Sequence, residues 1–386
     1  PAPSTAADPV SLQDIRRAAL ALGETVRHTP VVSSRTLSER VGATVALKAE
    51  NLQRTGSFKL RGALAKLTAL GEEAEGGVIT ASAGNHGQAL AYAARVRGVP
   101  CEVFMPRQAA VAKVEAASAL GAAVRLVGPS VDEALADARA EAERRGVAFV
   151  HPFDDPEVIA GQGSLGLELL DEVAELAAVV LPVGGGGLAS GVAIALKSQR
   201  PELRVIGVQA SECAPFARSL AAGQPVAVSE ALTIADGIAV KRPGRITLPL
   251  IGKWVDEIVE VSEDEVAEAM VFLLERTKLV VEGAGAVGVA ALLAGRAQPA
   301  GQGTTVAVLS GGNVDPGLLS QIARRHESQA GRRLVLLARV PDRPGALAEL
   351  LGLVADQGAN LLDVVHVREG FDLHVRESAV QLVLEA

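Results

Sequence analysis

Short apolar runs alternate with longer Ala-rich amphipathic segments along most of the chain. The runs that precede a helical segment are "VIT", "CEVFMP", "AAVRLV", "AAVVLPV", "LRVIGVQA" and "TTVAVLS". Ser130 and Ser262 stand where helix N-caps belong, and Ser262 with Glu265 makes a capping box. Short strands alternating with long helices are typical of a parallel sheet covered on both faces. The pattern therefore predicts an α/β fold.

The regular alternation of strand-like and helical segments ends near Gly331. "RRLVLLARV" is strand-like, the segment after Pro344 has a helical pattern, and "NLLDVVHVRE" and "AVQLVLEA" are again strand-like. This βαββ order predicts a small separate α+β module at 332–386, after a first domain at 1–328. The stretch "RRHESQAGRR" is the predicted linker.

Composition and charge exclude several classes of protein. The chain has 386 residues and a formal net charge of −8, without a basic stripe that would bind nucleic acid. Its apolar runs are broken by Pro or Gly before the roughly 20 residues that a membrane span needs. No secretory signal is visible at the start. Cys101 and Cys213 lack metal spacing, the histidines are scattered, and we expect a cytoplasmic protein without a metal site.

Three glycine-rich polar loops follow predicted strands: "ASAGNHG", "PVGGGGLASG" and "SGGN". Ligands of open parallel sheets bind at the carboxyl ends of the strands. Gly184 to Gly187 open a predicted helix, where N–H groups can approach an anion closely. The loop has neither a dinucleotide fingerprint nor a P-loop lysine. A flexible turn is the alternative, but the pattern favours a site for a phosphate monoester.

Lys59 lies in "NLQRTGSFKLRGA", beside Phe58 and at the start of a predicted helix. A lysine in such a place is usually only a solvated charge. Together with a phosphate-binding loop, however, it suggests an amine that meets the aldehyde of pyridoxal 5'-phosphate. Lys59 is therefore the predicted Schiff-base lysine.

Six motifs occur in one order: "TGSFKLRGA", "SAGNHGQ", "HPFDDPEVIAGQGS", "PVGGGGLASG", "TIADGIAVKRPG" and "LSGGNVDP". Between about residues 10 and 328 the chain resembles the threonine dehydratase (threonine ammonia-lyase) family of fold-type II pyridoxal-phosphate enzymes. The resemblance implies a two-subdomain parallel-sheet core of the tryptophan synthase β type, with a smaller subdomain inserted at roughly 57–152. It also implies β-elimination and deamination of L-threonine, and also of L-serine, to 2-oxobutyrate or pyruvate and ammonia.

The resemblance also implies roles for individual residues. Lys59 would bond covalently to the cofactor, and Phe58 would pack on the cofactor ring. Asn85 would form a hydrogen bond with the hydroxyl group of that ring. The resemblance further implies that the cofactor phosphate is bound by Gly184, Gly185, Gly186 and Gly187, and that the pyridine nitrogen meets Ser310. It also implies that the substrate carboxylate is bound by the segment Ser82, Ala83, Gly84, Asn85 and His86. Asp236 is expected to order its loop and His86 to orient its surroundings. Glu282 either faces the cofactor or is structural.

Two departures from relatives refine these expectations. Serine racemases carry a serine where Ala83 stands, so elimination should dominate over racemisation. Relatives with a divalent cation place a glutamate where Gln209 stands, so no such metal is expected. A serine or threonine racemase and a catalytically inactive amino-acid sensor are the alternatives.

The segment "RVPDRPGALAELLGLVADQGANLLDV" resembles the ACT domain, which senses amino acids. Its usual βαββαβ order is incomplete here, so the expected module is either truncated or completed by a partner. We expect an amino-acid effector with allosteric control and a homodimer or homotetramer, while a plain dimerisation tail is the alternative. The sequence leaves open whether threonine or serine is preferred, and whether the role is isoleucine biosynthesis or threonine breakdown.

Overall fold

The structure is a computed structural model that describes residues 8–229, 232–368 and 373–385. The chain divides into two compact units, Pro1–Val314 and Asp315–Ala386. The helices are α1 (Leu12–Leu22), α2 (Arg35–Val41), α3 (Lys59–Leu70), α4 (Asn85–Arg97), α5 (Val111–Ala119), α6 (Val131–Arg145), α7 (Pro156–Glu172), α8 (Gly187–Lys197), α9 (Phe216–Ala222), α10 (Thr247–Trp254), α11 (Glu263–Phe272), α12 (Gly283–Leu293), α13 (Pro316–Gln329) and α14 (Ala346–Asp356). The strands are β1 (Val31–Ser33), β2 (Val45–Lys48), β3 (Val78–Ala81), β4 (Cys101–Pro106), β5 (Ala123–Val127), β6 (Ala148–Phe149), β7 (Leu176–Pro182), β8 (Arg204–Ala210), β9 (Glu257–Val261), β10 (Thr304–Val308), β11 (Arg333–Pro341), β12 (Asn360–Val367) and β13 (Glu377–Glu385).

The first unit contains a six-stranded sheet in the order β1-β2-β10-β7-β8-β9. Only β1 runs antiparallel to its neighbour, and all the other pairs are parallel. At the centre of the sheet, Val306 of β10 lies opposite Ala46 on one side and Val179 on the other. Val179 and Val306 are fully buried, as expected for strands covered on both faces. The large parallel sheet of the predicted core is confirmed.

A second, four-stranded sheet in the same unit has the order β5-β4-β3-β6, and every pair is parallel. Ala134 and Ala138 of α6 pack with Ile79 in one buried cluster of this sheet. Leu64 and Leu90, from α3 and α4, belong to another cluster. Helices thus cover both faces, and the two-sheet core predicted from the resemblance is confirmed.

Helix starts follow the predicted polar signals. Ser11, Ser130 and Ser262 each accept a hydrogen bond from a backbone N–H of the first helical turn. Ser262 forms the predicted capping box with Glu265. Within the described ranges, 8–229, 232–368 and 373–385, every helix is too short or too polar to span a bilayer.

The second unit consists of α13 and a three-stranded antiparallel sheet in the order β11-β13-β12, with α14 between β11 and β12 in the chain. Leu350 and Leu351 of α14 pack with Val380 and Leu382 of the central strand. The predicted βαββ order is present. The predicted linker "RRHESQAGRR" is wrong for most of its length, because α13 continues to Gln329.

The extension of α13 has a local cause. Asp315 accepts hydrogen bonds from the N–H groups of Gly317 and Leu318, at 2.7 and 3.1 Å, and Pro316 occupies the first turn. Ile322 is buried one turn further along the helix. A capped start and an apolar stripe carry the helix through a segment whose polar composition suggested a loop.

Candidate active site

Lys59 is the first residue of α3, and its amine points towards a backbone carbonyl. Lys59 Nζ donates to the carbonyl oxygen of Pro152 at 2.9 Å and lies 5.2 Å from the centroid of the Phe58 ring. Burial lowers the pKa of Lys59 to about 8, and the charge of Glu282 partly opposes that shift. At a pKa of about 8, about a tenth of the amine is neutral near pH 7, and the neutral form is the one that attacks an aldehyde.

A buried ion network holds the first turn of α3. The fully buried Arg61 donates to both carboxylate oxygens of Glu50, at 2.8 and 2.9 Å, and to both of Glu168, at 2.6 and 2.9 Å. Its Nη1 also donates to Ser164 Oγ at 3.1 Å. Arg61 stands two residues after Lys59, so this network ties the start of the lysine's helix to α7.

Three side chains near that network have the spacing of a metal site. Ligand atoms of His28, Glu168 and Glu172 lie within 4.8 Å of one another. The buried ammonium group of Lys48 contacts Glu168 at 2.7 Å and Glu172 at 3.0 Å, and it also donates to the carbonyl of Thr29 at 2.7 Å. Lys48 therefore supplies the positive charge that these carboxylates need.

The tetraglycine loop, Gly184 to Gly187, joins β7 to α8. Gly186 has a φ of 94°, and a Cβ on Gly185 would lie 2.2 Å from Cγ of Phe153. Within the described part of the chain, no N–H of Gly184, Gly185 or Gly186 donates to a protein acceptor. Free N–H groups at a helix N-terminus, in a loop without side chains, fit the oxygens of a phosphate monoester.

The segment 151–155 connects the lysine to this loop. The carbonyl of Pro152 accepts the hydrogen bond from Lys59 Nζ, and the ring of Phe153 packs against Gly185. His151 Nδ1 accepts the N–H groups of Phe153 and Asp154, at 3.2 and 2.8 Å. Burial lowers the pKa of His151 to about 4, which keeps the ring a neutral acceptor. The motif "HPFDDP" marked this segment in the sequence, although no role was assigned to it.

Asn85 belongs to a chain of polar side chains. Asn85 Nδ2 donates to Glu282 Oε1 at 2.7 Å, and Asn313 Nδ2 donates to Asn85 Oδ1 at 2.7 Å. Burial, reinforced by the charge of Asp236, raises the pKa of Glu282 to about 7. Glu282 and Asn313 are thus site neighbours that sequence reasoning left undecided or missed.

Ser310 lies where β10 ends, against the segment that leads into α3. Its carbonyl accepts the N–H of Phe58 at 3.0 Å, and Ser57 forms a β-bridge with Gly311. Its buried hydroxyl is 3.4 Å from the carbonyl of Ala284. The fold therefore places Ser310, Phe58 and the lysine in one region.

The loop Ser82–Gly84 follows β3 and leads into α4, with Ala83 between two residues that bond to each other. Gly84 N–H donates to Ser82 Oγ at 3.1 Å. The next residues begin α4, and His86 Nε2 lies 3.3 Å from the carbonyl of Val150. Burial, and secondarily the charge of Lys59, lowers the pKa of His86 to about 3. A neutral His86 favours the predicted orienting role over proton transfer.

Lys113 and Asp236 form an ion pair between the two parts of the first unit that carry the two sheets, with 2.5 Å between Nζ and Oδ2. Lys113 lies on α5, whose Ala117 is in one buried cluster with Val103 of the four-stranded sheet, and Asp236 lies in the loop before α10. Sequence reasoning gave Asp236 an ordering role but missed its lysine partner, which lies in a segment that carried no motif.

Residues 22–311 match the family described as pyridoxal-phosphate dependent enzyme. The chain belongs to that family, and pyridoxal phosphate is its cofactor. The amine of Lys59 and the N–H groups of the tetraglycine loop are chemically suited to the aldehyde and the phosphate of this cofactor.

The chain is also similar to individual members of the family. It is 46% identical over 377 residues to L-threonine ammonia-lyase of Thermotoga maritima, which covers 97% of this chain and 94% of that protein. The threonine deaminase of T.th. superposes with a TM-score of 0.74 at 43% identity, covering 79% of this chain and 99% of that one. Maize serine racemase superposes with a TM-score of 0.78 at 34% identity, over 84% of this chain and 99% of that one.

Proposed function

We propose that the chain is a threonine ammonia-lyase, which converts L-threonine to 2-oxobutyrate and ammonia and L-serine to pyruvate and ammonia. The observation that carries the proposal is Lys59, with its lowered pKa, held 2.9 Å from the Pro152 carbonyl beside the tetraglycine loop. The similarity to proteins named threonine ammonia-lyase and threonine deaminase supports the choice of substrate. We place the reaction in the cytoplasm, because Cys101 and Cys213 are both free and buried.

Bound pyridoxal phosphate supplies an electron sink that weakens the α C–H bond of an amino acid and lets its β-hydroxyl leave. Lys59 Nζ accepts the α-proton, because a pKa near 8 suits a base that works near neutral pH. The N–H groups of Gly184 to Gly187 would hold the phosphate, and Phe58 would cover one ring face. Ser310 would offer the pyridine nitrogen a neutral hydroxyl in place of a carboxylate, an arrangement that would suit the loss of a β-substituent.

The loop Ser82–His86 holds the substrate carboxylate in this proposal. Asn85 and His86 are the first residues of α4, whose N-terminal N–H groups and dipole favour a negative charge. Asn85 is fixed by Glu282 and Asn313, so its amide is oriented before a ligand arrives.

Racemisation is the competing reaction, and the superposition with maize serine racemase is the observation in its favour. Racemisation needs an acid or base on each face of the substrate α-carbon. Ala83 offers no such group at the position where serine racemases carry a serine. Accumulation of D-threonine or D-serine faster than keto acid would reverse this preference.

The second unit has a cavity that suits an amino-acid effector, which we propose as its ligand. The cavity has a volume of about 440 Å³ and lies at the loop between β11 and α14. Asp342, Arg343 and Arg368 line it, so charges of both signs are present for a zwitterion. Branched-chain amino acids are the first effectors to titrate, with threonine turnover and heat of binding as the measurements.

We further propose a homodimer or homotetramer joined through the second unit. Leu337 of β11 and Leu353 of α14 are 80% and 66% exposed, and contact with a second copy of the chain would cover these apolar side chains. Sedimentation equilibrium of the full chain measures the assembly, and a monomer at micromolar concentration would contradict the proposal.

Keto-acid release from L-threonine, with added pyridoxal phosphate, tests the proposed activity. Lys59→Ala should abolish release, and Lys253→Ala, at an exposed lysine of α10, should retain it. No release from threonine or serine by a protein with bound cofactor would refute the proposed reaction. A cofactor that does not bind at all would instead support the inactive sensor.

A further inference from the structure

Two buried side chains outside the glycine motif bind the backbone of the tetraglycine loop. Thr247 Oγ1 donates to the carbonyl of Gly185 at 2.6 Å. Gln209 Nε2 donates to the carbonyl of Val183, the residue before the loop, at 3.2 Å. Thr247 and Gln209 are 0% and 1% exposed, so both bonds are shielded from water. The carbonyls of Val183 and Gly185, on either side of Gly184 in the chain, are therefore each held by a buried side chain.

The geometry of the peptide bond turns this into a constraint on the loop's donors. In a planar trans peptide the carbonyl and the following N–H point in opposite directions. Holding the carbonyls of Val183 and Gly185 therefore directs the N–H groups of Gly184 and Gly186 away from the side chains that hold those carbonyls. Glycine peptides rotate easily, so without such anchors these N–H groups would sample many directions.

Each anchoring side chain is itself held in place. The N–H of Thr247 donates to Asp154 Oδ1 at 3.2 Å, so Asp154 caps the start of α10 from a distant segment. Gln209 Oε1 accepts the N–H of Phe216 at 3.2 Å, which leaves the amide nitrogen facing the loop. The ring of Phe216 packs against Gly186, 3.0 Å from where a Cβ would stand.

We propose that Thr247 and Gln209 are positioning residues that orient the N–H groups of Gly184 and Gly186 towards the cofactor phosphate. Neither side chain is required to touch the phosphate, because each acts through a carbonyl of the loop. The inference rests on the proposed role of the tetraglycine loop. It explains why two polar side chains are buried behind a loop that has no side chains of its own.

The experiment compares two ligands of the apoprotein, pyridoxal phosphate and pyridoxal, which is the same aldehyde without the phosphate. Thr247→Val and Gln209→Met each remove a donor at similar volume. Each should weaken binding of pyridoxal phosphate about tenfold, equivalent to about 1.4 kcal/mol, and leave the dissociation constant for pyridoxal unchanged. Thr247→Ser keeps a hydroxyl and should retain the affinity for pyridoxal phosphate to within about threefold.

Ser219→Ala is the matched control, because the buried Ser219 hydroxyl donates to the carbonyl of Pro215 and accepts the N–H of Val226, at 2.8 and 2.9 Å, and neither partner belongs to the tetraglycine loop. It should not change the ratio of the two dissociation constants. Equal weakening of both ligands by Thr247→Val and Gln209→Met, or no change in either, would overturn the inference while the proposed role of the loop stands. If the parent protein binds pyridoxal phosphate and pyridoxal equally well, both this inference and the proposed phosphate-binding role of the loop are wrong. If Thr247→Val does not fold, Gln209→Met carries the same comparison.

Discussion

Replacing Arg61 by methionine removes a guanidinium group that makes five hydrogen bonds between 2.6 and 3.1 Å. The variant leaves the fully buried Glu50 without its ion-pair partner, whereas Glu168 keeps Lys48 at 2.7 Å. Removing one partner of a buried pair costs about 3–5 kcal/mol, because a desolvated charge stays behind. For a large domain, at about 2 °C per kcal/mol, we expect the melting temperature to fall by about 6–10 °C.

The assay is thermal unfolding of the apoprotein, followed by circular dichroism at one scan rate for all variants. Arg61→Lys keeps the charge but loses the planar fork, so its melting temperature should fall between those of Arg61→Met and the parent. Arg144→Met is the matched control, because Arg144 pairs with Glu141 at the surface and should not change the melting temperature measurably. A fall of less than about 2 °C in Arg61→Met would refute the reasoning, since the network would then contribute no net stability.

Three further predictions concern the site. Gly185→Ala places a Cβ 2.2 Å from Cγ of Phe153, so the ring must move. The affinity for the cofactor should therefore fall at least tenfold in a titration of the apoprotein. An unchanged affinity would contradict the close packing of Phe153 against Gly185. Burial lowers the pKa of Lys59 to about 8, and only the neutral amine attacks the aldehyde. The rate of cofactor uptake, measured by stopped flow, should therefore rise about tenfold per pH unit below that pKa and level off above it. A rate that does not change between about pH 6 and 8 would contradict the requirement for a neutral amine. Lys113→Met removes the ion pair with Asp236, whose loop this pair helps to order, and it should raise KM for threonine up to about fivefold with a smaller change in kcat. Equal losses in kcat and kcat/KM would contradict this expected effect on substrate binding.

The alternation of strands and helices could be predicted because each element is specified by residues that are close together in the sequence. Buried parallel strands are continuous apolar runs, and caps such as Ser130 and Ser262 mark the helix starts. The glycine loop and Lys59 carried local signals as well. The roles assigned to Asn85 and Ser310 depended on the family resemblance and stay predictions, although the fold places both residues near the lysine.

The supports of the site could not be predicted in the same way. Thr247 reaches Gly185 across 62 residues, and Lys113 reaches Asp236 across 123. Thr247 looks like an ordinary helix-start residue and Lys113 like an ordinary surface lysine, because their partners are set only by the tertiary fold. Glu282 was undecided for a related reason: its raised pKa comes from burial, which a sequence pattern does not report.

The position of β10 has a consequence for how the chain acquires its site. Thr304–Val308 is the last strand of the first unit in sequence, yet it lies between β2 and β7 at the centre of the six-stranded sheet. Contacts around the site join residues 93, 197 and 258 positions apart, and such long-range contacts form slowly. A nascent chain that ends before Thr304 must therefore present two unpaired strand edges, which invite aggregation. Synthesis of this one strand closes the sheet and completes the site in the same late step.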